Sequence, residues 1–152
     1  MLFITFRLGG QRYALEAERI VEVLPLVELQ TVLRAPPGIA GTLNYHGEFV
    51  PVLDLSQMIL GRPAPPRLST RLLVARVKRD QDFRLLGIIA ENVTETMRCE
   101  ASDFASPGIV SGEVPFLGSV RVDERGSVQR IDLDRLLAGQ QRDFVFEPPV
   151  AA

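Results

Sequence analysis

One histidine, His46, and one cysteine, Cys99, are the most reactive side chains in this chain of 152 residues. Hydrolysis through a covalent intermediate needs a nucleophile, a base and an acid that orients the base. His46 is the one imidazole available as base, and it lies in the turn-like stretch "NYHGEF". Ser56 and Ser69 are candidate nucleophiles, but neither sits in the G-x-S-x-G elbow that exposes a serine between strand and helix. A small hydrolase using His46 is therefore the alternative rather than the leading function. Cys99 follows Met97 and Arg98 with no base beside it, the setting of a structural thiol. One cysteine and one histidine supply neither an internal disulfide nor a four-ligand zinc site. Asp54 and Asp132 occupy the same place in two similar segments, "FVPVLDLSQMILG" (Phe49 to Gly61) and "SVQRIDLDRLLAG" (Ser127 to Gly139). They could be paired acids in a duplicated site, but each precedes a short apolar run, where a carboxylate caps the first free N–H groups of a helix. Capping is the preferred assignment. "LGG" lacks the following helix that a phosphate loop needs. No catalytic residue, cofactor or metal is expected.

Partners are constrained by charge. Seventeen basic residues nearly balance nineteen acidic ones, for a net charge of −2. Such a surface has no field to attract nucleic acid or an acidic membrane. "MLFITFRLGG" meets Arg7 too early to be a signal-peptide core or a membrane span, so a cytoplasmic protein without membrane insertion is expected. The hydrophobic fraction of 46% fits a globular domain with a real interior.

Two-residue alternation of apolar and polar positions, filled by β-branched and aromatic residues, predicts a mostly β chain. "LFITFRL" and "QRYALE" flank Gly9-Gly10 as a first hairpin, and "RIVEVLPLVEL" continues extended. "TLNYHGEFVPVLDL" is a second hairpin with its turn at His46-Gly47-Glu48, followed by a short helix over "LSQMIL" that ends at Gly61. "RPAPPRLST" (Arg62 to Thr70) is a proline-rich connector, after which the pattern restarts. Tyr13 aligns with Leu86, Ala14 with Gly87, Glu18 with Glu91, Ile20 with Val93, and Glu22 with Glu95. Later, Gly41 aligns with Gly118, Gly47 with Gly126, Val50 with Val128, Leu53 with Ile131, and Asp54 with Asp132. An offset near seventy-five residues across early and late segments is an internal duplication. Each half is expected to form one small β-barrel-like unit with one short helix, and units of that size are marginal alone, which favours a shared core.

Two features remain. The segment "VEVLPLVELQTVL" (Val21 to Leu33) holds eight aliphatic residues and two charges, so it is either a fully covered central strand or a strand with one face free for a partner. Arg71, Arg76, Arg79 and Arg84 alternate with apolar residues, the pattern of a solvated strand face, or of a multi-donor contact surface.

"FRLGGQRYAL", "IAGTLNYHGEFVPVLDL" and "LGIIAENV" together resemble the CheW-like proteins, the adaptor subunits of bacterial chemosensory signalling, from Phe3 to about Leu137. The resemblance implies an all-β fold of two intertwined five-stranded SH3-like β-barrels sharing a core. It also implies one CheW-like domain over residues 1–152, with halves near 1–66 and 67–142 and a tail over 143–152. It implies no catalysis, and two partners: the regulatory domain of a CheA-type histidine kinase and the cytoplasmic tip of a methyl-accepting chemotaxis receptor. Carried over to this chain, the partner-binding positions are Ile20, Glu22, Val23, Gly41, Asn44, His46 and Gly47. The family usually has arginine before that turn glycine, where this chain has His46. Histidine is shorter and has fewer donors than a guanidinium, which points to an alternative chemosensory pathway with its own receptor or kinase. In the tail, Phe144 and Phe146 could add an edge strand.

Overall fold

The computed structural model describes residues 1–79, 81–108 and 114–137, so Gly139, Phe144 and Phe146 lie outside the described residues. Ten strands run in chain order: β1 (Leu2–Leu8), β2 (Gln11–Glu16), β3 (Ile20–Pro25), β4 (Ile39–Tyr45), β5 (Glu48–Asp54), β6 (Arg71–Arg79), β7 (Asp82–Ala90), β8 (Glu95–Arg98), β9 (Leu117–Asp123) and β10 (Gly126–Ile131). A single α-helix among the described residues, α1 (Leu55–Leu60), follows β5. Short 3₁₀ turns occupy Ala17–Arg19, Ala101–Asp103 and Leu133–Arg135.

The strands form two five-stranded sheets, ordered β8-β1-β2-β10-β9 and β3-β6-β7-β5-β4. Each sheet takes its first hairpin from one half of the chain and three strands from the other. The expectation of one unit per half is therefore corrected: the halves repeat in sequence but exchange hairpins in space. The exchange is sealed by the two parallel pairings, β2 with β10 and β5 with β7. The registers reproduce the alignment of the halves. Arg130↔Ala14 in one seam recurs as Val52↔Gly87 in the other, and Thr5↔Glu95 recurs as Val74↔Glu22.

The common core lies between the sheets and draws on both halves, with Phe6, Leu8 and Leu15 against Leu53, Leu73, Leu86, Ile88 and Ile131. Each sheet also encloses a smaller cluster: Phe3, Ala14, Phe104 and Val128 in the first, and Leu43, Val50, Val52, Leu72, Val74 and Ile89 in the second. Interior on both faces is why β7 reads as a continuous apolar run, buried from Leu86 to Ala90. The sheets also bend until their edges meet. Gln30, downstream of β3, exchanges two 2.9 Å backbone hydrogen bonds with Thr42 on β4, and Ala105, downstream of β8, makes the matching 2.8 Å pair with Val120 on β9.

The aspartates are caps. Asp54 accepts from the Ser56 and Gln57 amides at 2.9 and 3.3 Å, and its other oxygen holds the Ala64 amide of the connector at 2.9 Å. Gly61 ends the helix with φ 77°. Asp132 accepts from the Asp134 amide at 3.1 Å and opens a 3₁₀ turn, not a helix. Glu91 is buried and receives the Ser56 hydroxyl and Arg62, whereas its aligned partner Glu18 is exposed.

Where the chain crosses from one sheet to the other, Arg19 donates through Nε to the Arg76 carbonyl at 2.8 Å and pairs with Asp134. Asp134 also accepts from the Lys78 amide at 2.7 Å. Burial pushes the Asp134 carboxyl upward, but the hydrogen bonds from Arg19 and Lys78 and their charges outweigh it, leaving it below the usual carboxylate range.

Two outcomes follow for stability. A Cβ on Gly87 would stand 2.7 Å from Val52 Cγ2, so Gly87→Ala should cost about 1–3 kcal/mol, read as a lower urea midpoint with an unchanged slope. A depressed native carboxyl stabilises above its unfolded pKa and loses that contribution as pH falls through the native value. Asp134→Ala should therefore be less stable than the native chain at pH 7, with the gap closing below about pH 4; urea titrations at both pH values measure it.

Candidate functional site

β3 is an edge strand, hydrogen-bonded only to β6 among the named strands. Its side chains alternate: Val21, Val23 and Pro25 are exposed, while Ile20, Glu22 and Leu24 are half-buried. The apolar segment is thus not a covered central strand. Leu24, Leu26 and Leu29 line the interior of the second sheet with Leu43 and Val50. Val21 and Val23 remain 48% and 46% exposed on the outer face, with Val27 and Leu33 also exposed further along.

The β4–β5 hairpin turns at His46-Gly47, with φ of 51° and 86°. Two successive left-handed residues are what a tight two-residue hairpin needs, and histidine tolerates that region better than most. Glu48, expected within the turn, opens β5 instead. Asn44 Oδ1 accepts from the Gly47 amide at 3.0 Å and braces the turn. Phe49, opposite Asn44, is exposed.

Tyr45 joins the strand to the hairpin. Its hydroxyl donates to Glu22 Oε1 at 2.9 Å, and its ring meets that of His46 edge-on with centroids 4.4 Å apart. The hydrogen bond to Glu22, then burial and the carboxylate charge, pushes the Tyr45 hydroxyl pKa above its ordinary value. Tyr45 was not among the sequence-based positions. Its signal was the alternation of β4, which turns Leu43 and Tyr45 to the same face. Glu22, turned inward between apolar neighbours, needed a donor there.

The seven expected positions divide by exposure. Val23, Asn44, His46 and Gly47 lie on the surface, with Glu22 half-buried beneath it. Ile20 packs against the common core, and Gly41 is buried. A Cβ on Gly41 would come within 2.5 Å of the Gln30 carbonyl oxygen and 3.0 Å of Leu29 Cβ, so Gly41 permits the Gln30–Thr42 closure.

The corresponding place in the first sheet is chemically different. Thr94 and Thr96 align with Val21 and Val23, and Glu95 is held by Arg125 in the β9–β10 turn at 2.7 and 3.3 Å. Arg12 grips Asp123 beside it at 2.9 and 2.7 Å.

Elsewhere the reactive groups are engaged in architecture. The Ser56 hydroxyl is buried on Glu91, and the Ser69 hydroxyl donates to Asn92 Oδ1 at 3.4 Å; neither serine bonds His46. Cys99 is half-buried beside the Phe3 cluster, and burial pushes its thiol pKa up. A cleft of about 410 Å³ between the 3₁₀ turns is lined by charges already paired with one another, Arg130 with Glu16, Arg19 with Asp134 and Arg135 with Asp132. Among the described residues no group of three or more histidine, cysteine or acidic side chains could hold a metal ion, and no helix is long and apolar enough to cross a membrane. Of the arginine face, Arg76 lies 6.0 Å from the Phe83 ring centroid and bonds the Glu18 carbonyl at 3.5 Å; the Arg79 side chain lies outside the described residues.

The CheW-like domain model matches residues 2–141 of the chain. The chain is 24% identical over 142 residues to a chemotaxis protein CheW of Rhizobium meliloti, covering 92% of this chain and 89% of that one. It is 30% identical over 105 residues to protein FrzA of Myxococcus xanthus, covering 69% and 63%. In three dimensions it matches the scaffolding protein TtCheW of Thermoanaerobacter tengcongensis with a TM-score of 0.78 at 18% identity, over 92% of this chain and 89% of that one.

Since a backbone oxygen and not a flexible side chain faces Gly41, Gly41→Ala should cost about 3 kcal/mol. It should also speed amide exchange at Thr42, whose N–H is bonded to Gln30; hydrogen exchange with a urea titration checks both.

Proposed function

The chain belongs to the CheW-like family of non-catalytic adaptors that link chemoreceptors to CheA in chemotaxis, and from that premise we propose that it is a cytoplasmic adaptor acting as one domain. Its partners are the regulatory domain of a CheA-type kinase and the cytoplasmic tip of a methyl-accepting receptor. The contact surface is β3 with the β4–β5 turn: Val21, Glu22, Val23, Asn44, His46 and Gly47 touch the partner, and Ile20 and Gly41 hold the surface in shape.

The observation that carries this reading is an edge strand with two valines on its open face, tied through Glu22 and Tyr45 to a rigid hairpin turn. An edge strand with exposed apolar residues and no lysine invites pairing, and proteins otherwise blunt such edges with charge. Here Thr94, Thr96 and Arg98 stand at the positions that match Val21, Val23 and Pro25, so the matching edge is polar and charged where the outer face of β3 is apolar. The difference supports β3 as the face kept for a partner. His46, in place of the family's usual arginine, supports a pathway with its own receptor or kinase.

Titration of the full chain with the isolated regulatory domain of a CheA-type kinase from the same cell, and with the receptor tip, tests the proposal. Binding to at least one is expected, and binding to neither by a folded chain overturns it. Glu22→Lys should weaken binding by tenfold or more while the melting temperature moves by only a few degrees. His46→Arg should change affinity for at least one partner; equal affinity for every receptor and kinase of the cell would defeat the specificity assignment.

A further inference from the structure

The duplication allows one half of the protein to be compared with the other as an internal control. Glu22 and Glu95 occupy matched positions on the edge strands of the two sheets, as the pairings Val74↔Glu22 and Thr5↔Glu95 show. Both carboxylates reach across to the hairpin at the opposite edge of their own sheet. Glycine alignment puts Arg125 opposite His46, and ladder register puts it one residue later, opposite Gly47; either way it belongs to the matching turn. Arg125 makes two hydrogen bonds to Glu95 and cancels its charge. Tyr45 makes one hydrogen bond to Glu22 and brings no charge.

Among the described residues no cation lies within ion-pair distance of Glu22. The surroundings sharpen this. From Ile20 to Gly61 the chain carries Glu22, Glu28, Glu48 and Asp54, with Arg34 as the single cation. The matching stretch of the second copy, Val93 to Gly139, carries eight acids but also Arg98, Arg121, Arg125, Arg130 and Arg135, so cations are at hand there to pair with them. The face built by β3 and the β4–β5 hairpin is apolar and acidic, and its half-buried carboxylate is oriented but not neutralised.

Resting on the adaptor reading above, we propose that Tyr45 is a positioning residue that holds Glu22 as an uncompensated carboxylate for an arginine or lysine of the partner. The segment that docks along β3 then lays apolar side chains on Val21 and Val23 and, on the alternate side of the strand, presents a cation to Glu22. Charge complementarity of this kind sets specificity and encounter rate more than total affinity. A partner whose contact has no cation there would leave a partly buried charge unpaired and be rejected. The loss of arginine from the first turn thus has a consequence for recognition: the charge that the second copy neutralises internally is offered outward by the first.

The test uses the full chain, titrated with the kinase regulatory domain and separately with the receptor tip at low and high salt. Glu22→Gln should weaken binding to one of them by tenfold or more at low salt, with the difference shrinking as salt rises. Tyr45→Phe should weaken the same interaction several-fold with the melting temperature nearly unchanged. Because Tyr45 acts through Glu22, the double variant Tyr45→Phe/Glu22→Gln should lose little more than Glu22→Gln alone, a coupling that a merely structural tyrosine would not show. His46→Arg should lower that same affinity, since an arginine in the turn can pair with Glu22 as Arg125 does with Glu95. Native affinity of Glu22→Gln for both partners, or additive losses in the double variant, overturns the inference while leaving the adaptor reading standing. Failure of the unaltered chain to bind either partner overturns the adaptor reading, and this inference with it.

Discussion

Two parallel strand seams hold this protein together. β2 lies beside β10 and β5 beside β7, and through these pairings each half of the chain inserts its first hairpin into the sheet of the other. Parallel pairing needs a long crossover: between β2 and β10 the chain runs through the opposite sheet, and between β5 and β7 it runs through α1, the connector and β6. The consequence is cooperative. Neither half can bury its own apolar faces, so Leu15, Leu53, Ile88 and Ile131 meet in a core that exists only when both hairpins are in place. The tightest spot in the seams is Gly87 against Val52, and the matched spot, Ala14 beside Arg130, takes a methyl group because the long arginine side chain can turn away over the Phe3 ring.

A protein built from two interlocked copies has every surface feature twice, so the copies are free to diverge wherever the core does not care. The common core stays matched, Leu15 with Ile88 and Leu53 with Ile131, as do the edge-closing bridges at Gln30–Thr42 and Ala105–Val120. The outsides do not. One edge has valines and an acid held by a phenol; the other has threonines and an acid held by a guanidinium. The backbone bridges close the edges in both sheets, so folding tolerates either side-chain pairing. Recognition depends on which charge is left over, and on that point the two copies differ.

The buried polar groups are taken up by the architecture: Asp54 holds three amides, Ser56 and Glu91 satisfy each other, and Thr70 caps the connector through the Pro65 carbonyl at 2.8 Å. Among the described residues, buried groups satisfied in this way leave no nucleophile beside a base.

Much of the fold was legible in the chain alone. Alternation placed the strands, Gly9-Gly10 and, to within one residue, His46-Gly47-Glu48 placed the tight turns, and the aspartate before each short apolar run placed the caps, because all of these depend on the chemistry of a few neighbouring residues. The duplication was legible too, and with it Glu22 and Glu95 as a matched pair. Which half each hairpin would join was not, since Ala14 beside Arg130 and Gly87 beside Val52 are contacts between segments more than thirty residues apart, and local pattern carries no information about the partner strand. Nor was the role of Tyr45 legible. A tyrosine on an inward face reads as core, and that its hydroxyl would meet Glu22 followed only when bending brought the two edges of one sheet together. Short-range stereochemistry determined the elements; the closure of sheets across exchanged halves decided which polar groups would face each other.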